Sequence, residues 1–204
     1  MVASFFIRAG SYAAGGLDGS ESDGTNLLST GFPGFTAGWT TEDVTLTAAA
    51  TASPSGSTDA ASVVENGSNT RHDIYYTHSG AAIGTCTASA YMKAFGRRYA
   101  VIQLADDGGN GFQFYADLQD GLITDTEVFG TGSISSTSIA AAVNGFYKVS
   151  ASGSFGASET GDRYFTIALS NVATYGAPLS NELPQYTGDG TSGIYVWRGK
   201  LVND

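Results

Sequence analysis

The side chains able to do chemistry are few, and their spacings do not combine them. Adjacent acids occur at Asp106–Asp107 and Glu42–Asp43. A glycosidase needs two carboxylates about 5–10 Å apart across a cleft. Neighbouring strand residues point to opposite faces, so adjacency alone predicts solvated turn carboxylates. The two histidines, His72 and His78, are six residues apart. On one unbroken strand they would share a face at roughly 20 Å, too far to chelate one metal. Cys86 is the single cysteine, so no intrachain disulfide can form. Its strand-like surroundings, T-C-T-A-S-A-Y-M-K, predict a small buried residue and not a catalytic thiol. Asp18, Ser20, Ser22 and Gly24 are spaced like the start of a calcium loop, but Ser29 stands where the closing Glu is needed. A structural calcium held by strand ends or Asp-Gly loops stays open. It would show as calcium-dependent thermal stability. The sequence carries no nucleophile elbow, P-loop or dinucleotide fingerprint. The chain therefore reads as non-enzymatic, with no cofactor.

Aromatic and polar side chains offer a different chemistry. Tyrosine occurs eleven times. Tyr91 lies beside Lys93, Tyr115 beside Gln113 and Asp117, and the Tyr75/Tyr76 pair beside Asp73. Sugar rings stack their CH faces on aromatics, while their hydroxyls need directional polar partners. Tyr91, Lys93, Gln113, Tyr115 and Asp117 are thus the candidate glycan-binding residues. The same tyrosines also suit packing within the sheet or contacts with another protein.

The elements that would position these residues are short strands. Cys86, Ala88, Ala90 and Met92 alternate with Thr87, Ser89, Tyr91 and Lys93. Ala100, Ile102 and Leu104 oppose Tyr99, Val101 and Gln103. Phe112, Phe114, Ala116 and Leu118 oppose Gln113, Tyr115 and Asp117. Phe165, Ile167 and Leu169 oppose Tyr164, Thr166 and Ala168. Such period-two patterns mark strands with one buried face. The separators, such as E-N-G-S, D-D-G-G-N-G and T-G-D-G-T-S-G, are hairpin chemistry. Only S-T-S-I-A-A-A-V-N, residues 136–144, reads equally as helix or strand.

The bulk numbers agree. The chain has 204 residues, 42% hydrophobic and 14% charged, with 28 glycines. That length suits one domain, and low charge with many turn residues suits β structure. Nine basic residues against 19 acidic give a net charge of −10, which disfavours nucleic acid as a partner. No apolar run approaches the ~20 residues that span a membrane. The start, M-V-A-S-F-F-I-R, is interrupted by Arg8 and does not read as a signal peptide. Folding in a cytoplasm is expected.

Two stretches carry a resemblance. N-L-L-S-T with W-T ten residues on spans residues 26–40, and Y-T-G-D-G-T-S-G-I-Y-V-W spans residues 186–197. Between them lie A-Y-M-K-A, G-R-R-Y-A-V-I-Q-L and N-G-F-Y-K-V-S. In this order they resemble the carbohydrate-binding-module-like jelly-roll domains of phage tail and virion proteins, over about residues 26–202. The resemblance supplies no catalytic residues. The chain departs from it at R-G-K-L, residues 198–201, where G-A-Q-L is more usual. It implies an all-β, antiparallel β-sandwich (jelly roll) over residues 26–204, behind an extended N-terminal arm, residues 1–25. It also implies a non-enzymatic virion structural protein, a head-decoration or tail-surface component on the virion surface, whose outer face is a candidate for host glycans. The alternative is a dedicated carbohydrate-binding module or adhesin recognising cell-surface polysaccharide. Phe5, Phe6, Ile7 and Tyr12 of the arm would dock on other virion proteins or on further copies in a homo-oligomer. Trp197 is expected in the core, as is Trp39.

Overall fold

Alternation along the chain sets which face of each strand is buried, and the strands pair accordingly. The computed structural model describes residues 25–28, 35, 37–176 and 178–204. Phe5, Phe6, Ile7 and Tyr12 lie outside them. In chain order the strands are β1 (Trp39–Glu42), β2 (Val44–Ala52), β3 (Thr58–Glu65), β4 (Asn69–Thr70), β5 (Asp73–His78), β6 (Thr85–Phe95), β7 (Tyr99–Asp106) and β8 (Gly111–Asp117). They continue with β9 (Leu122–Phe129), β10 (Ser133–Ala141), β11 (Tyr147–Ser154), β12 (Arg163–Ser170), β13 (Leu179–Ser180), β14 (Leu183–Pro184), β15 (Tyr186–Thr187) and β16 (Gly193–Asn203).

Two six-stranded antiparallel sheets form the expected β-sandwich. The first runs β1-β5-β12-β7-β8-β9 and the second β10-β11-β6-β16-β3-β2. Cys86, Ala88, Ala90 and Met92 of β6, Ile102 and Leu104 of β7, Phe112 and Phe114 of β8, and Phe165 and Ile167 of β12 share one buried cluster between them. Trp39 joins that cluster, with its ring 4.7 Å from Phe35 and 5.7 Å from Phe165. Burial pushes the Cys86 thiol up to about 12, so the thiol is an inert core group. Of residues 136–144, the stretch 136–141 resolves as strand within β10, and 143–144 enter a 3-10 turn. Ile134, Thr137 and Ile139 are more buried than the serines around them, and a bulge between Ile134 and Ser136 keeps that face inward.

Both sheets also bury part of their outer faces. On the second sheet, Trp197, Tyr91, Phe146 and Ala60 form a separate cluster. Phe146 follows a single 3-10 turn, Val143–Gly145, between β10 and β11. Asn144 ties that turn down by donating to the Ser53 carbonyl at 2.7 Å and accepting from Lys93 at 2.9 Å. Trp197 thus points away from the central core yet is fully buried. On the first sheet, Val101, Tyr115 and Ala168 are covered by Leu183 from the segment between β12 and β16.

The turn before β16 needs its glycines for two different reasons. Gly190 has φ 77, as a tight turn requires. Gly188 is needed for closeness instead, since a Cβ there would collide with the Asn66 carbonyl.

Candidate functional site

The outer face of the first sheet is built in rungs fixed by register. One rung crosses Tyr75, Thr166, Gln103, Gln113 and Glu127. The next crosses Thr77, Tyr164, Ala105, Gly111 and Phe129. A third, Asp73, Ala168, Val101, Tyr115 and Asp125, lies under the covering segment. The uncovered rungs floor a groove of about 810 Å³, walled by Tyr175, Asn181 and Glu182 of that segment.

The wall is a two-residue hairpin. β13 pairs with β14 through Leu179–Pro184 and Ser180–Leu183. Asn181 and Glu182 at its tip have φ 49 and 62, the left-handed pair of a type I′ turn. Asn tolerates this and Glu does not, so the tip carries strain of about 1–3 kcal/mol. Two buried glutamines of the floor hold it. Gln103 donates to the Asn181 carbonyl and to Gln113 Oε1, both at 3.1 Å. Gln113 donates to the Glu182 carbonyl at 3.0 Å.

Four half-buried aromatic rings line the groove in two pairs. Tyr75 and Tyr164 meet edge to face at 6.0 Å, and Phe129 and Tyr175 meet at 6.5 Å. The hydroxyls of Tyr164 and Tyr175 are anchored. Tyr164 donates to Asp107 at 2.6 Å, and that bond pushes its phenol up to about 12. Tyr175 donates to Glu182 and is pushed up to about 12 for the same reason. The Tyr164 hydroxyl and the Asp162 N–H together hold Asp107 below the ordinary carboxylate range. The arrangement offers fixed ring faces next to carboxylate and amide groups.

The candidates read from the sequence go elsewhere and are corrected here. Gln113, Tyr115 and Asp117 are buried on β8, while Tyr91 and Lys93 stand on β6 in the other sheet. The five cannot meet one ligand. Tyr115 is buried by the covering segment, and Tyr91 packs on Trp197 at 5.1 Å. Asp117 is taken up by Arg98, which donates to it at 2.6–3.0 Å. Lys93 bonds the 3-10 turn. Only Tyr75, noted with Tyr76 as an outward aromatic, lines the groove, since alternation turns Tyr76 toward Trp39. Tyr164 was legible as an outward residue of its strand, but its partners Tyr175 and Glu182 lie in a segment without periodicity.

Asp106 is not the solvated acid expected. It is buried and accepts the Asn110 and Thr160 N–H groups, each at 2.7 Å. His72 is buried between the Asp43 and Tyr186 carbonyls. Among the described residues no three His, Cys, Asp or Glu side chains gather closely enough to hold a metal ion. No helix among them is long and apolar enough to cross a membrane.

Asp73, buried on the third rung, gives a pH prediction. Its carboxylate lies 3.2 Å from Arg71 Nε but has no hydrogen bond of good geometry. Burial pushes its pKa up to about 7. The folded chain therefore holds this proton more firmly than the unfolded chain. Stability from this residue is full below the ordinary value of 3.8 and is lost as pH rises through about 7. Asp73→Asn should match the parent near pH 4 and exceed it by about 2–4 kcal/mol at pH 8. Urea melts at the two pH values check this.

No protein-family model matches the sequence, and no curated protein matches it. Among solved structures it is similar to the enzymatically active domain of tailspike protein 4 of bacteriophage CBA120. The TM-score is 0.43 at 10% identity, and the match covers 81% of this chain and 19% of that one.

Proposed function

We propose that this protein is a non-enzymatic surface component of a phage-like virion that binds host-cell glycans through the groove on its first sheet. The observation that carries the glycan part is the pair of anchored aromatic platforms, Tyr75/Tyr164 and Phe129/Tyr175, set around buried amides and exposed carboxylates. Stacking faces with fixed polar neighbours are what a pyranose ring needs. A hydrolase would need a general acid with a raised pKa in the groove. Asp107 is held low, and the carboxyl that is raised, Asp73, is buried. The virion part is supported by the sequence resemblance over residues 26–202, and it assigns Phe5, Phe6, Ile7 and Tyr12 to assembly with capsid, tail or further copies of the chain.

Tyr164→Ala is expected to weaken glycan binding at least about tenfold. It should leave the melting temperature within a few degrees, because the lost hydrogen bond is to an exposed acid. Glycan-array signal and calorimetry measure the first, and a thermal melt the second. Unchanged binding in Tyr164→Ala would remove the groove from the function. The adhesin reading shares the groove but not the arm's role. Binding to purified capsids or tails, lost on deleting residues 1–25, selects the virion reading.

A further inference from the structure

We infer that the groove takes short oligosaccharides of uncharged or amino-bearing pyranoses and rejects saccharides that carry carboxylate, sulfate or phosphate. This rests on the glycan reading above and adds a size and a charge class to it.

The charge argument begins with the lining. Asp107, Glu127 and Glu182 all face the groove, and Arg71 is the one cation among its described lining residues. Arg71 is already committed, 3.2 Å from Asp73 and 3.6 Å from Glu42. An anionic sugar would therefore meet three carboxylates and a guanidinium that already faces Asp73 and Glu42. Like charges brought together in a partly desolvated cleft repel more strongly than they do in water. The three carboxylates also have the wrong sense for an anion. Asp107 and Glu182 accept from Tyr164 and Tyr175 and keep lone pairs to spare. Glu127 ends the central rung and lines the groove. All three can accept from sugar O–H or ammonium N–H groups, and none can donate to a sugar carboxylate.

The size argument comes from register. Tyr164 stands on β12 and Phe129 on β9, on the same rung, with β7 and β8 between them. Three strand spacings put these platforms about 14 Å apart. One pyranose cannot stack on both. A volume of about 810 Å³ is toward the upper end for small-molecule sites and leaves room for several sugar units. One ring of each platform is held before the ligand arrives, Tyr164 by Asp107 and Tyr175 by Glu182 on its strained tip, so less ordering is left for binding.

A glycan array bearing uncharged, amino-bearing and acidic oligosaccharides, each from one to six units, tests this with the full chain. We expect signal on the uncharged or amino-bearing classes. Acidic analogues should bind at least about tenfold more weakly, and single sugars at least about tenfold more weakly than tetramers. Phe129→Ala and Tyr164→Ala should each weaken the tetramer, whereas Tyr164→Phe, which keeps the ring, should retain most of the binding. Glu127→Gln should narrow the discrimination against acidic sugars at low salt, and added salt should narrow it in the parent. Acidic sugars binding best, with loss in Tyr164→Ala, would overturn this inference and leave the glycan reading standing. Single sugars binding as well as tetramers would overturn the size claim. No signal for any class would overturn both this inference and the glycan reading.

Discussion

Glu65→Ala is expected to cost about 3–5 kcal/mol, the range for breaking a buried ion pair by removing one partner. Glu65 closes β3 and is 2% exposed. Arg97 donates to both of its oxygens, from Nε at 2.8 Å and from Nη2. The Tyr186 hydroxyl and the Asp189 N–H donate to it at 2.8 Å each. One carboxylate thus ties the turn before β16 to β3, to β15 and to the connection between β6 and β7. Burial pushes its carboxyl up, but the bonds from Arg97, Asp189 and Tyr186 outweigh this and hold it below the ordinary 4.5. Its contribution is therefore complete above pH 4.5 and is lost as pH falls through the lowered folded value. Alanine would leave Arg97 with Asp189 alone, at 3.5 Å, and the Tyr186 hydroxyl without its acceptor, where water reaches them poorly. Glu65→Gln keeps an acceptor but no charge, so it should fall between alanine and the parent. Urea melts at pH 7 give the values. A loss below about 1 kcal/mol for alanine would mean that this carboxylate behaves as a surface group.

The sandwich was legible because its signal is local. Ala88, Ala90 and Met92, or Phe112 and Phe114, announce an inward face by alternation alone, and the Asp-Gly and Asn-Gly pairs mark where strands end. The site was not legible, for two reasons. Alternation separates one face from the other but cannot say whether the outward face is covered. Tyr115 and Tyr164 look alike in sequence, yet Leu183 and its segment cover the first and leave the second in the groove. The groove wall, moreover, comes from residues 175–182, whose hairpin is a tertiary product. Asn181–Glu182 lacks the glycine of a usual type I′ turn and keeps that shape through Gln103 and Gln113, some 70–80 residues earlier. Glutamines at outward strand positions read as solvent-facing until the element they hold is known.

Trp197→Ala is expected to cost about 3–5 kcal/mol, as for other buried tryptophans, and to leave saccharide binding unchanged. The indole is fully buried in a cluster of its own on the outer face of the second sheet. Tyr91 meets it edge to face at 5.1 Å, and the Arg198 guanidinium lies 4.2 Å above its ring. Arg198 reaches that place because it sits in a bulge of β16 at φ 51, where the pairing with β6 slips between Trp197 and Lys200. The same slip returns Leu201 to the central core, so R-G-K-L packs although it departs from the usual G-A-Q-L. The indole N–H finds no partner among the described residues. Trp197→Phe should therefore cost less than its lost ring area alone suggests, because it removes a buried unpaired donor. A cycle with Tyr91→Leu should give a coupling of about 0.5–1.5 kcal/mol for the edge-to-face pair. Because the groove lies across the sandwich, a Trp197 variant that stays folded yet loses glycan binding would place the ligand on the second sheet, with Tyr91 and Lys93.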